Sequence, residues 1–198
     1  INLIDGLDGL AAGITSIVGI GIFAMAAYSS EVASAFFSII LVGSVLGFLK
    51  YNFFPARIFL GDSGSLLIGY LIAIASIISL QNTAIAVSLL IPISALLIPA
   101  IDTLLAIMRR SKQKDNLFKA DKEHIHHRLS EMGLSHKQVV LLLYYVTLFF
   151  AIQGFMFILI PKNYAILIFI LMMMMIFFAL KTLLFFEINI KNKEKKKK

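Results

Sequence analysis

The sequence has 198 residues, of which 60% are hydrophobic, no cysteine, and a formal net charge of +7. Soluble domains sit near roughly 45–50% apolar, so a mean hydropathy of +0.92 excludes a soluble fold, and the missing thiols exclude disulfides and thiolate metal sites. The positive charge lies in loops and a tail rather than over a globular face, which excludes a nucleic-acid binder and matches the lysine and arginine bias of membrane proteins. Apolar runs of about twenty residues recur, each long enough for a hydrocarbon core of ~30 Å, and the ten-residue alternation of a membrane β-barrel is missing. The predicted fold is therefore all-α: a polytopic integral membrane protein with about six transmembrane helices, one per apolar run.

In chain order, residues 1–9 read INLIDGLDG, with two Asp-Gly pairs three residues apart. The first span is predicted over 10–28 and, after a Ser-Ser-Glu turn, the second over 32–49. Residues 52–65, NFFPARIFLGDSGS, read as a polar, Gly-punctuated turn, with a third span over 65–80. Span four is expected over 84–108, broken by Pro92 and Pro99 and carrying Asp102 near its end. Residues 109–137 form a long hydrophilic loop; span five covers 138–160, span six 164–186, and a lysine-rich tail occupies 187–198. The whole reads as one membrane domain, 1–198, with a cytoplasmic His/Arg loop at 109–137 and a basic cytoplasmic tail. It opens at Ile1 straight into a polar motif without a signal peptide, so we expect the C-terminal part of a longer protein.

Lysine and arginine fall at Lys50, Arg57, along the 109–137 loop and in the tail, whereas the opposite loops hold only Lys162. Six spans put residues 1–9, both basic loops and the tail on one side, which the positive-inside rule makes cytoplasmic. Every segment with chemistry to offer (2–8, 52–65, Asp102 and 121–128) then meets a single membrane face.

Asp5 and Asp8, spaced i, i+3 at a helix start, would share the face where the helix dipole favours anions. Capping of the first span is the alternative, although one Asp would satisfy it. In the second motif, Gly61 and Gly64 let the backbone turn tightly and approach a ligand, Ser63 or Ser65 caps span three, and the exposed N–H groups suit phosphate. A carboxylate such as Asp62 repels phosphate unless a divalent cation lies between them, and an all-oxygen donor set favours Mg2+ or Mn2+ over zinc. Its plainer role is turn and cap. Phe53, Phe54 and Phe59 read as interfacial anchors, with Phe59 alternatively a base-stacking platform. Asp102 is either functional by its place at the boundary or paired with Arg109 or Lys50. In HIHHRL, the residues His124, His126, His127 and Arg128 suit a diphosphate; a zinc site with Asp121 and Glu123 is the rival, at an unusual spacing. His136 reads as a plain loop residue, and the lysine tail as a contact for anionic headgroups.

Together, NLIDGLDGLAAG, FPARIFLGDSGSLLIGY, PAIDTLLAIMRR and DKEHIHHRL followed by GLSHKQ closely resemble the polyprenyl-phosphate N-acetylhexosamine-1-phosphate transferases, a multi-pass family of about ten or eleven spans. The H-x-H-H-R loop and Asp102-Thr103 fit the bacterial branch that moves GlcNAc-1-phosphate from UDP-GlcNAc to undecaprenyl phosphate, initiating teichoic acid, enterobacterial common antigen or O-antigen synthesis. The phospho-MurNAc-pentapeptide transferases usually carry three consecutive His and then Phe-Glu at this point, and are the alternative. The resemblance implies an Mg2+-dependent enzyme of the bacterial inner membrane, with catalytic Asp5, Asp8, Asp62, His126 and His127. It also implies that Asp62 and Asn2 are metal ligands, that Asn52 and Phe59 hold the uracil, and that Gly61, His124 and Arg128 contact the substrate. Its partners would be the two substrates and the bilayer, with a homo-oligomer left open. The family's N-terminal Asp-Asp motif has no counterpart here, so this piece alone is expected to be inactive. Two other classes stand beside this reading: a secondary transporter with Asp102 on an ion path through the Pro-broken fourth span, and a non-catalytic scaffold.

Overall fold

The computed structural model describes residues 1–79 and 134–159 and, singly, positions 164, 167, 170 and 174. Its described residues are helical apart from short turns: a 3-10 turn at Asn2–Ile4, then α1 (Leu10–Tyr28), α2 (Val32–Asn52), α3 (Gly61–Ile78) and α4 (His136–Leu159). All four α-helices are long and apolar enough to cross a membrane. The shortest, α3, has 18 residues, or about 27 Å at ~1.5 Å per residue, close to the thickness of a hydrocarbon core. The chain is a multi-pass membrane protein.

Residues Ile1–Phe155 form one compact unit, organised around α1. Ala11, Ile14, Val18 and Ile22 of α1 are buried in one cluster with Leu41 and Val45 of α2, Ile68, Ile72 and Ala75 of α3, and Val139, Val140 and Leu143 of α4. Lipid chains are as apolar as leucine, so packing inside a membrane depends on close van der Waals fit rather than water exclusion. Small residues on α1 supply that fit: a Cβ added at Gly19 would lie 2.7 Å from Val42 Cγ2. At the far end, the hydroxyls of Ser34 on α2 and Ser79 after α3 lie 2.5 Å apart, and Ser79 Oγ donates to the Ala75 carbonyl at 2.7 Å. Such hydroxyl contacts tie helices together where the surroundings offer no water. Met156–Lys198 forms a second unit, whose described residues are the last turn of α4 and four exposed helical positions, Tyr164, Leu167, Ile170 and Met174.

The apolar centres of the first three spans and of the fifth match the helices; beyond the first, their ends differ. Span one coincides with α1. The second runs on to Asn52, three residues past the expected 49, and stops where Pro55 disfavours helical backbone at Phe54. The third begins at Gly61 rather than 65, so Asp62 and Gly64 stand in its first turn instead of the preceding turn. The expected serine cap is not made: the residue before α3 is Leu60, which makes no side-chain cap bond. The fifth begins at His136, because the Ser135 N–H and hydroxyl both reach Gln138 Oε1, at 2.8 and 3.0 Å. That is one half of an S-x-x-Q capping box, the Gln138 side chain reaching back to the Ser135 N–H. His136 is therefore a helical residue and not a plain loop residue. Span four, Asp102, the larger part of the 109–137 loop and most of span six lie outside the described residues.

Candidate functional site

The site is assembled at the N-terminal end of α1. Asn2–Ile4 is a single 3-10 turn, and the Asp5 N–H donates to the Asn2 carbonyl at 3.2 Å. Two further turns carry the chain to Gly9, which is buried with φ +79. A left-handed residue of this kind strongly favours glycine. Asp5 and Asp8 therefore precede the helix rather than opening it. Neither caps α1, whose N-cap is Gly9 without a side-chain bond, so the expected placement of both acids on the first helical face is corrected. The second Asp-Gly pair ends in the left-handed turn instead of starting the helix.

Two segments distant in sequence close over this loop. From the end of α2, Asn52 is buried; its Oδ1 accepts the Gly9 N–H at 3.1 Å and its Nδ2 donates to the Ile58 carbonyl at 2.9 Å. The Ala56 N–H donates to Asp8 Oδ2 at 3.0 Å. One side chain and one backbone amide thus staple residues 53–60 onto the Asp5–Gly9 loop. From α3, the Ser65 hydroxyl donates to Asn2 Oδ1 at 2.6 Å, with the Asp62 carbonyl at 3.1 Å as its other acceptor. This brings Asn2 to the helix turn that carries Asp62.

The electrostatics follow from this approach. Asp5 is half-buried, and burial first, then the charge of Asp62, pushes its carboxyl above the ordinary aspartate range. Asp62 and Asn2 remain exposed. The negative charge of Asp62 disfavours ionisation of Asp5, an arrangement that a bound cation relieves. The oxygens of Asp5, Asp62 and Asn2 suit a hard divalent ion. Among the described residues there is no group of three His, Cys, Asp or Glu placed to hold a metal.

The aromatic residues separate. Phe59 is 75% exposed, leaving its ring available on the loop surface. Phe54 is stacked on His136 with centroids 4.6 Å apart and planes at 28°, and Lys137 Nζ lies 5.8 Å from the Phe54 centroid. Gly61, at φ +65, has open space where a Cβ would stand. The structure thus brings Asn2, Asp5, Asp8, Asn52, Phe59, Gly61 and Asp62 to one end of the helices. His124, His126, His127 and Arg128 lie outside the described residues.

Sequence reasoning missed two participants. Ser65, expected with Ser63 as a candidate helix cap, closes GDSGS, and nothing in that motif hints at a partner sixty-three residues away. Tyr144, whose hydroxyl donates to the Gly9 carbonyl, gave only the weak signal of a polar-tipped aromatic inside an apolar run.

The model of glycosyl transferase family 4 matches residues 1–80. The chain is 47% identical over 155 residues to a probable undecaprenyl-phosphate N-acetylglucosaminyl 1-phosphate transferase of Bacillus subtilis (strain 168), covering 78% of this chain and 43% of that protein. It is 41% identical over 163 residues to the decaprenyl-phosphate N-acetylglucosaminephosphotransferase of Mycobacterium leprae (strain TN), covering 73% and 41%. It is 37% identical over 152 residues to a phospho-N-acetylmuramoyl-pentapeptide-transferase of Halalkalibacterium halodurans, covering 76% and 45%. The chain spans under half the length of each of these curated relatives.

Proposed function

The chain belongs, over residues 1–80, to glycosyl transferase family 4, and from that premise we propose that the whole protein transfers GlcNAc-1-phosphate from UDP-GlcNAc to undecaprenyl phosphate. An oxygen of the lipid phosphate attacks the β-phosphorus of the sugar nucleotide, the bond to the bridging oxygen breaks, and UMP leaves as the lipid diphosphate sugar forms. The observation that carries this reading is the Ser65 hydroxyl donating to Asn2 Oδ1 at 2.6 Å, which joins the turn before Asp5 to the helix turn that carries Asp62. The activities by which the relatives are named support it, and the match to a transferase family favours it over a transporter or a scaffold.

The residues take their parts from where they stand. Asp62, Asp5 and Asn2 supply oxygen donors that would hold Mg2+, or Mn2+ in its place, and the ion when bound neutralises charge on the diphosphate. Asp8 and Asn52 hold the loop 53–60, so Asn52 orients the nucleotide end through the loop it staples, while the exposed Phe59 ring offers a face to the uracil. His126, His127 and Arg128 would meet the diphosphate or the sugar. Phosphoryl transfer needs positioning and charge neutralisation far more than covalent chemistry, and this donor set supplies both. The lysine and arginine bias makes the site's side of the membrane cytoplasmic, in a bacterial inner membrane, at the first step of a surface glycopolymer such as teichoic acid or O-antigen.

The test uses the full-length protein, undecaprenyl phosphate and three donors: UDP-GlcNAc, UDP-GalNAc and UDP-MurNAc-pentapeptide. UMP release with UDP-GlcNAc is expected, dependent on divalent cation and almost abolished by Asp62→Asn. Turnover of the pentapeptide donor alone would overturn the assignment in favour of the sister activity, and an Asp62→Asn enzyme with unchanged rate would remove Asp62 from the site.

A further inference from the structure

Gly9 is held through both of its peptide groups. Its N–H donates to Asn52 Oδ1 at 3.1 Å, and its carbonyl accepts from two donors, the Gly13 N–H at 2.9 Å and the Tyr144 hydroxyl. A carbonyl oxygen has two lone pairs, so the helical bond to Gly13 satisfies this group without help from α4. Helix α1 therefore does not depend on the Tyr144 hydroxyl for its first turn. The hydroxyl adds a second direction of constraint on the Gly9–Leu10 peptide, from a helix otherwise remote from the acids.

A separate steric observation points the same way. A Cβ added at Gly13 would overlap Cζ and the hydroxyl oxygen of Tyr144. The first turn of α1 is thus bare of side chain where the tyrosine tip lies, and the ring reaches Gly9 through that gap. The Asp5–Gly9 loop is then fastened from three elements: α2 through Asn52, the 53–60 loop through Ala56, and α4 through Tyr144.

We propose that Tyr144 is a positioning residue, acting through the Gly9 carbonyl to set where the Asp5 and Asp8 carboxylates stand relative to Asp62. The geometry stands by itself; only its catalytic consequence rests on the transferase reading above. Groups that orient a metal-binding or phosphate-binding set without touching it typically carry about 10- to 100-fold of activity or affinity, because small displacements of such a set are costly to the rate.

The experiment compares full-length wild type with Tyr144→Phe, Gly13→Ala and the double variant. Tyr144→Phe deletes only the hydroxyl; Gly13→Ala leaves the hydroxyl but pushes the ring tip aside. Hydrogen exchange of the Gly9 and Leu10 amides, which needs no turnover, is expected to quicken in both single variants. UMP release measured against Mg2+ concentration is expected to show kcat down about 10-fold and half-saturation moved to higher Mg2+, with KM for the lipid phosphate unchanged. The double variant should be no worse than the poorer single, since both break one contact. Wild-type exchange in Tyr144→Phe overturns the proposal, as does faster exchange with an unaltered Mg2+ dependence, which would leave the contact purely structural. Additive losses in the double variant overturn it too. If the wild-type protein releases no UMP, the transferase reading falls while the exchange measurement still decides whether Tyr144 holds the loop.

Discussion

Asp5 shows what one residue's surroundings can do to the whole site. Burial, and after it the Asp62 carboxylate, raises its affinity for a proton, so the folded state binds that proton more tightly than the unfolded chain does. Linkage then fixes the sign: the contribution of Asp5 to stability is fully present below the ordinary aspartate value of about 3.9 and is lost as pH rises through the raised folded value. At neutral pH without divalent cation, Asp5→Asn should therefore unfold at a higher temperature than wild type in the same detergent. The gap should close on acidification, when both proteins are neutral at that position, and should also narrow on adding Mg2+ to the wild type. Thermal unfolding followed by tyrosine fluorescence across a pH series reads all three; a gap that ignores both pH and cation would mean that Asp62 does not act on Asp5. Activity should fall in the same variant that gains stability, as expected where a site stores repulsion for use with a ligand.

Among the elements, the turn at Gly9 decides where the acids point, and the turn at Gly61 is its natural control. Both glycines have positive φ, +79 and +65, a backbone costing a residue with a Cβ roughly 1–2 kcal/mol. At Gly61 that is the whole cost, because nothing lies within 4 Å of the added carbon. At Gly9 the Cβ would also stand 3.0 Å from Phe53 Cδ2 and 3.4 Å from the Phe53 Cα, and that backbone is pinned by the Asn52 staple. Gly9→Ala should therefore destabilise more than Gly61→Ala in denaturant titrations of the micelle-bound protein; equal losses would show that Phe53 moves freely. The contrast also shows what the sequence could convey. The spans of α1 to α4 were legible because twenty apolar residues declare themselves whatever they pack against. Helix ends were less so: Asn52 is helical because its side chain bridges Gly9 and Ile58, a tertiary cause, and α4 starts at His136, two residues before the expected 138, through the local contact of Ser135 with Gln138. The acids were legible as residue types, and the gathering of residues 2–8 with 52–65 followed from the charge bias of the loops. Their mutual geometry was not, because Ser65 to Asn2 and Tyr144 to Gly9 join positions 63 and 135 residues apart, a separation that no periodicity encodes.

For the whole molecule, the question is whether the acids gathered here suffice for chemistry. The unit Ile1–Phe155 places α1 in the middle, with the residues before it held by Asn52 of α2, Ala56 of the 53–60 loop, Ser65 of α3 and Tyr144 of α4, so the meeting of Asp5 with Asp62 is a product of this chain's own folding. Such a pair can attract a divalent ion. Phosphoryl transfer asks for more: the attacking phosphate must also be brought in line with the bond that breaks, with its charge offset as it approaches. The Asp-Asp motif implied for that end of the site by the family resemblance does not occur in these 198 residues, and the chain spans only 43% of its Bacillus subtilis relative. The expected outcome is a separation of binding from turnover. In nanodiscs, the 198-residue chain should be stabilised by Mg2+, and lose that response in Asp62→Asn, yet release no UMP from UDP-GlcNAc and undecaprenyl phosphate. The full-length protein should do both. Mg2+-dependent UMP release by the 198-residue chain alone would show instead that Asp5, Asp8 and Asp62 are enough to run the reaction.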